Sequence, residues 1–91
     1  MERKFYMTAF LNEQVARSED MAKAVTSAVQ RFNSGDWGKV PEADKEANNA
    51  DLEARCGHVL ARYDSPMGDI YINLDFYTDE ETAVIMFASE Y

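Results

Sequence analysis

Asp69–Tyr77 reads DIYINLDFY and is the most regular alternating stretch in the chain. One face would carry Ile70, Ile72, Leu74 and Phe76, and the other Tyr71, Asn73, Asp75 and Tyr77. A period of two is that of a β-strand with one face buried. We therefore predict a strand here, with its aliphatic face in the core.

Two further strands are predicted beside this one. His58–Tyr63 (HVLARY) is the first, and the turn over 64–68 that follows it contains both proline and glycine. Thr82–Phe87 (TAVIMF) is the second, and its apolar residues on both faces favour an inner strand. Because short turns join neighbouring strands antiparallel, the region predicts a three-stranded meander.

The first half of the chain predicts one strand and two helices. Lys4–Leu11 (KFYMTAFL) favours a strand, whereas 12–17 fit either a loop or an early helical turn. Ser18 is a suitable N-cap for a helix over 18–32, where apolar residues recur at helical spacing. A second helix is predicted over 41–55, with acids in its first turn and a glycine just past its end.

These elements predict a single α+β domain over residues 1–91. The expected order is β-α-α-β-β-β, with a four-stranded antiparallel sheet and both helices on one face. The uncovered face would show Tyr71, Asn73, Asp75, Tyr77, Val84 and Met86, with Tyr6 and Leu60 as further candidates. That mixture fits a partner site, a dimer interface, or a solvated face with cross-strand aromatic pairs.

The charge of the chain is strongly negative and unevenly distributed. Seventeen acids oppose nine lysines and arginines, for a net charge of −8. Residues 41–91 hold twelve of the acids and only three of the bases. Direct binding to nucleic acid or to an anionic membrane needs clustered bases, so both are disfavoured. A basic protein surface is the partner that the charge favours, and simple solubility is the alternative.

The residues that carry most enzyme chemistry are sparse. Cys56 and His58 are the only cysteine and histidine, too few for a recognisable zinc site or a nucleophile with an oriented base. No phosphate-binding loop is present, and the acids at 42–53 do not have calcium-loop spacing. We expect no enzyme activity, no cofactor and no metal. With one cysteine, no signal peptide and no apolar stretch of membrane-spanning length, a cytoplasmic location is expected.

The only tryptophan lies in a turn with two glycines, Ser34–Gly38. Trp37 would either close the edge of the core, with its indole N–H on a backbone carbonyl, or serve as an interface anchor. The sequence leaves both roles open.

The same turn carries a family resemblance. Ser-Gly-Asp-Trp-Gly at 34–38 follows Arg31 and precedes an acidic helix with Asp44 and Asn48 or Asn49. The later matches are Leu60 and Tyr63, Tyr71-Ile72, Val84-Ile85-Met86 and Glu90-Tyr91. Over residues 31–91 the chain resembles a family of small uncharacterised bacterial proteins carried on plasmids, prophages and other mobile elements. The last six residues of this chain, 86–91, are also similar to the ending of a second small uncharacterised bacterial family. The resemblance implies a mobile-element context, where small proteins that block host defence are common.

Two functions follow as hypotheses. The first is an inhibitor of a host defence nuclease complex, an anti-CRISPR or anti-restriction protein, with an acidic surface that mimics nucleic acid. Its partner-binding residues would be Asp64, Asp69, Asp75, Asp79, Glu80 and Glu81, with Tyr71 and Tyr77 as anchors. The second is a structural or regulatory homodimer that pairs through the uncovered sheet face around Tyr71, Val84 and Met86.

Overall fold

The computed structural model describes residues 2–77 and 80–91, and within them the chain forms one α+β unit. The elements are β1 Glu2–Met7, α1 Ala9–Arg17, α2 Glu19–Asn33, α3 Glu42–Ala54, β2 His58–Tyr63, β3 Ile70–Phe76, β4 Glu80–Phe87 and a 3₁₀ turn over Ala88–Glu90. The three strands predicted from the alternating second half are confirmed, as are the two predicted helices, here α2 and α3.

The sheet is mixed. Its strand order is β1-β4-β3-β2, and the β2-β3-β4 meander is antiparallel as predicted. β1 runs parallel to β4, with Phe5 opposite Ala83 and Met7 opposite Ile85. The expectation of a fully antiparallel sheet is therefore wrong for β1. A tight turn imposes the antiparallel direction only on the strands that it joins, and no tight turn joins β1 to β4.

The first strand is also shorter than predicted, because a helix begins inside the alternating stretch. Thr8 caps α1 by accepting a hydrogen bond from the Leu11 backbone N–H at 3.3 Å. Residues 12–17, for which the sequence left two readings, are helical. Ser18 then ends α1 and caps α2, accepting from the Met21 N–H at 3.2 Å, as its predicted N-cap role requires.

One face of the sheet forms the core with α1 and α2. The helices contribute Leu11, Met21, Val25, Ala28 and Phe32, and the strands contribute Val59, Ala61, Tyr63, Ile70, Ile72, Leu74, Ala83, Ile85 and Phe87. All four residues of the aliphatic face predicted for β3 pack here, with Phe76 partly buried at the margin. None of the described helices covers the centre of the opposite face, where Val84 and Met86 are half-buried.

The third helix lies along the β2 edge of the sheet. The Asn48 side chain is buried there and satisfies both backbone groups of Leu60, donating to its carbonyl at 2.8 Å and accepting from its N–H at 3.3 Å. The loop before α3 pairs with the same edge, since the Arg62 N–H donates to the Trp37 carbonyl and the Lys39 N–H to the Arg62 carbonyl. The open hydrogen-bonding groups of an edge strand are thus covered, and α3 is held beside β2.

Candidate protein-binding surface

The predicted binding residues nearest the β2–β3 turn form internal ion pairs. Lys39 Nζ contacts Asp64 Oδ1 at 2.7 Å and Asp69 Oδ1 at 2.8 Å, and Arg62 Nε contacts Asp69 Oδ2 at 2.6 Å. The hydrogen bonds from Lys39 and Arg62 hold the pKa of Asp69 below its ordinary value. These carboxylates therefore compensate the positive charge of neighbouring side chains, which leaves little net negative potential at this end of the sheet.

Tyr71 lies on the uncovered face beside this cluster and is packed by its neighbours. Its hydroxyl accepts a hydrogen bond from Arg62 at 3.1 Å, and the Arg62 guanidinium lies over its ring at 5.3 Å. Tyr91 meets the same ring edge-on, with ring centroids 5.1 Å apart. Half-buried by these contacts, Tyr71 presents only part of its ring to solvent.

The remaining predicted residues lie at the other end of β3. Asp75 accepts a hydrogen bond from the Asn73 amide at 3.2 Å, Glu80 pairs with Lys4 at 3.2 Å, and the side chain of Tyr77 is 57% exposed. Asp79 lies outside the described residues. Because a strand rises about 3.3 Å per residue, the seven-residue β3 separates Asp69 from this group by roughly 20 Å. The predicted residues therefore occupy two ends of the sheet.

Glu81 faces the core side of the sheet and is not part of either group. Its side chain is only 11% exposed and bridges two arginines, Arg3 at 2.6 Å and Arg55. The Arg3 guanidinium also lies over the Phe32 ring, and that of Arg55 over the Phe76 ring. The carboxylate thus ties β1 and the end of α3 to β4, and it is not available as a surface contact.

Lowering the pH is expected to release this bridge. Burial alone would raise the pKa of Glu81, but the hydrogen bonds and charges of Arg3 and Arg55 outweigh it and hold that pKa below 4.5. Such a carboxyl stabilises the native state above its unfolded-state pKa, and the contribution is lost as the pH falls through the folded-state pKa. We expect Glu81→Gln to lower the free energy of unfolding by about 1–3 kcal/mol at pH 7. As the pH falls below 4.5, the free energy of unfolding of the Glu81→Gln variant should decrease less than that of wild type, because the variant has no carboxyl to protonate at this position.

Urea denaturation at pH 7 and in acidic steps measures both effects. Glu80→Gln is the matched control, because Glu80 is adjacent and pairs with Lys4 in a more exposed position. A surface pair is worth under about 1 kcal/mol, so this variant should stay near wild type. Equal losses from the two substitutions would contradict the role given to Glu81.

Trp37 belongs to the core, the first of the two roles that the sequence left open. Its side chain is 3% exposed, and its ring meets that of Phe32 with centroids 5.2 Å apart. The indole N–H donates to the Asn49 side-chain oxygen at 2.8 Å, where a backbone carbonyl was expected. The surrounding turn is equally tied down, since Asp36 accepts from Arg31 and from the Gly38 N–H. A buried ring of this kind presents no surface to a partner.

The acids without internal partners are concentrated on α3. This helix holds five acids and one lysine over 13 residues. Among the described residues, no ion pair is made by Asp44, Glu46, Asp51 or Glu53. Glu42 contacts Lys45 only at 3.9 Å. The sequence pattern predicted this helix, but its first-turn acids were interpreted as favourable partners of the helix dipole. The local excess of negative charge over 42–53 was the signal that could have identified the helix as a binding surface.

A groove of about 260 Å³ runs between α3 and β2. It is lined by Val40, Asp44, Ala47, Asn48, Asp51, His58 and Leu60. The four helical residues recur at positions that share one side of a helix, so the same side of α3 that anchors to β2 also faces the groove. Across the β2–β3 ladder His58 is paired with Asp75, which brings one of the predicted binding residues next to the groove.

This groove is small for a substrate site, since ligand pockets commonly measure about 300–1,000 Å³. Within residues 2–77 and 80–91, no group of three or more histidine, cysteine or acidic side chains is arranged to hold a metal ion. The described helices include none with the length and apolar character needed to cross a membrane. A scan against protein-family models and searches of curated proteins and of solved structures found no match to the chain.

Proposed function

We propose that this protein is a small acidic protein-binding module that docks onto a basic protein surface through α3 and the adjoining end of the uncovered sheet face. The observation that supports it is the contrast between two sets of acids. The first set lies in residues 64–81, where acids such as Asp69 and Glu81 form ion pairs with lysine or arginine side chains of the same fold. Four of the five on α3, all except Glu42, are exposed or half-exposed and make no ion pair with a described residue, so their field extends into solvent and attracts a basic partner.

In its fuller form, the proposed partner is a nucleic-acid-handling complex of bacterial host defence. Such complexes bind nucleic-acid phosphates through clustered lysine and arginine side chains. A line of carboxylates on a helix competes with the phosphates for the same lysines and arginines. The mobile-element resemblance of residues 31–91 favours this target and a cytoplasmic site of action. On this proposal the protein is an inhibitor of the anti-CRISPR or anti-restriction kind, with neither catalysis nor a cofactor of its own.

Charge reversal on α3 tests the proposal. Glu46→Lys with Glu53→Lys should weaken binding to the captured partner about tenfold or more, because two attractive contacts become repulsive. The experiment is affinity capture from bacterial lysate at low and high salt, identification by mass spectrometry, then titration of the purified partner. Binding should also weaken as salt rises.

The matched control is Glu13→Lys with Glu19→Lys on α1 and α2, which changes the net charge equally on other helices. This variant should bind within about threefold of wild type, since screening limits the effect of distant surface charges. Equal weakening by both variants, or recovery of no basic partner by wild type, would overturn the proposal.

A second candidate, a homodimer formed through the uncovered sheet face, is favoured by a separate observation. Tyr6 is 51% exposed and lies opposite Val84, while Tyr71 lies opposite Met86. These residues form an apolar and aromatic patch of the kind found at interfaces. A molecular mass of two chains in light scattering, reduced to one by Val84→Lys, is the expected result for this candidate.

A further inference from the structure

We propose that the groove between α3 and β2 receives one arginine or lysine side chain of the basic partner. The site rests on the proposed function, which it deepens by naming the position and chemistry of the contact. The groove has apolar walls and two carboxylates beside Asn48 and His58, and the walls and the carboxylates match different parts of a long cationic side chain.

The apolar lining matches the aliphatic stem. Val40, Ala47 and Leu60 come from the loop before α3, from α3 itself and from β2, so three separate elements form the walls. Arginine and lysine bury their methylene chains along such surfaces while the charged group stays near water. At about 260 Å³ the groove suits one extended side chain better than a whole small-molecule substrate.

The two carboxylates match the charged group. Asp44 and Asp51 both line the groove and make no ion pair with any described residue. They are seven residues apart on α3, or about 10 Å along the helix axis, so the head group of a side chain lying in the groove contacts one of them. The other adds to the negative potential of the groove, as does the nearby Asp75.

Asn48 and His58 complete the lining of the groove, and the Asn48 side chain is fixed in place. Both ends of the Asn48 amide are already bonded to Leu60, so this side chain is a structural wall. These two hydrogen bonds also fix the turn of α3 between Asp44 and Asp51 against the sheet. Because this part of the groove is already formed, binding loses little conformational entropy in ordering it, and this favours binding of even a single side chain.

The test uses a small probe, N-acetyl-arginine N-methylamide, and follows the backbone amide signals of the protein by NMR. The probe should bind weakly and shift the signals of the groove residues. Its citrulline analogue, which has the same length and no charge, should bind about fivefold more weakly, as expected for the loss of one partly desolvated ion pair. Asp44→Asn with Asp51→Asn should reduce arginine binding by about the same factor.

The control variant is Glu13→Gln with Glu19→Gln, which removes two charges from α1 and α2, outside the groove. It should bind the arginine probe within about twofold of wild type, because these residues do not line the groove. Equal loss in both double variants would mean that only net charge matters and would overturn the inference. Equal binding of the arginine and citrulline probes would overturn it as well.

Failure of the site and failure of the proposed function are distinguishable. If wild type captures a basic partner but the probe shows no preference for arginine over citrulline, the groove site is wrong and the function stands. If the probe binds as described but no basic partner is captured, the function is wrong while the cation preference of the groove stands.

Discussion

Replacing Gly38 with alanine is expected to lower the free energy of unfolding by about 3 kcal/mol or more, through backbone strain and lost hydrogen bonds. Gly38 has φ +77°, and a methyl group there would overlap the carbonyl oxygen of Arg62 and come within 2.8 Å of the Tyr63 ring. That carbonyl accepts the hydrogen bond from the Lys39 N–H that seals the β2 edge. The strand and the loop cannot both keep their positions.

Gly35→Ala is the matched control, because it creates the same kind of backbone strain without the overlap. Gly35 has φ +84° in the same turn, and nothing lies within 4 Å of an added methyl group. Its cost should be about 1–2 kcal/mol. Urea denaturation of both variants at neutral pH measures the difference. Similar losses would mean that the close approach to Arg62 does not contribute.

Replacing Trp37 with alanine is expected to cost about 3–5 kcal/mol, the usual range for removing a large aromatic residue from a core. The ring packs edge-on against Phe32, and the substitution also removes the indole hydrogen bond to Asn49 of α3. Trp37→Phe keeps an aromatic ring and should lose less, with about 1 kcal/mol of its loss due to the missing hydrogen bond.

Thermal and urea unfolding followed by circular dichroism measure both tryptophan variants, since the chain then lacks its only tryptophan fluorophore. A core role also predicts that folded Trp37→Phe binds the partner of the module as wild type does. A stable Trp37→Ala variant with lost partner binding would instead support the anchor role.

The fold could be predicted best where the sequence pattern is local. The alternation of β3 and the short turns around it define the meander, and the Ser18 cap defines the start of α2. The end of β1 was harder to predict, because 4–11 alternates as a strand throughout although Thr8 caps a helix. The direction of β1 depends on a partner 78 positions away, with Glu2 opposite Glu80, and no local pattern specifies that.

The candidate surface was harder to predict for the same physical reason. The sequence shows how many carboxylates the second half contains, but their net effect depends on which bases fold against them. Lys39 pairs with Asp64 and Asp69 from 25 and 30 positions away, and Arg3 reaches Glu81 from 78 positions away. Only after these pairs are known do the acids of α3 stand out as uncompensated.

The pairing of β1 with β4 also bears on how the chain folds. The two strands can meet only after the intervening seventy or more residues are brought round, and that loop closure costs entropy before any contact repays it. The β2–β4 meander closes only short loops. We therefore expect it to form early and β1 to dock last, so that β4 passes through a stage as an unprotected edge open to mispairing with other chains.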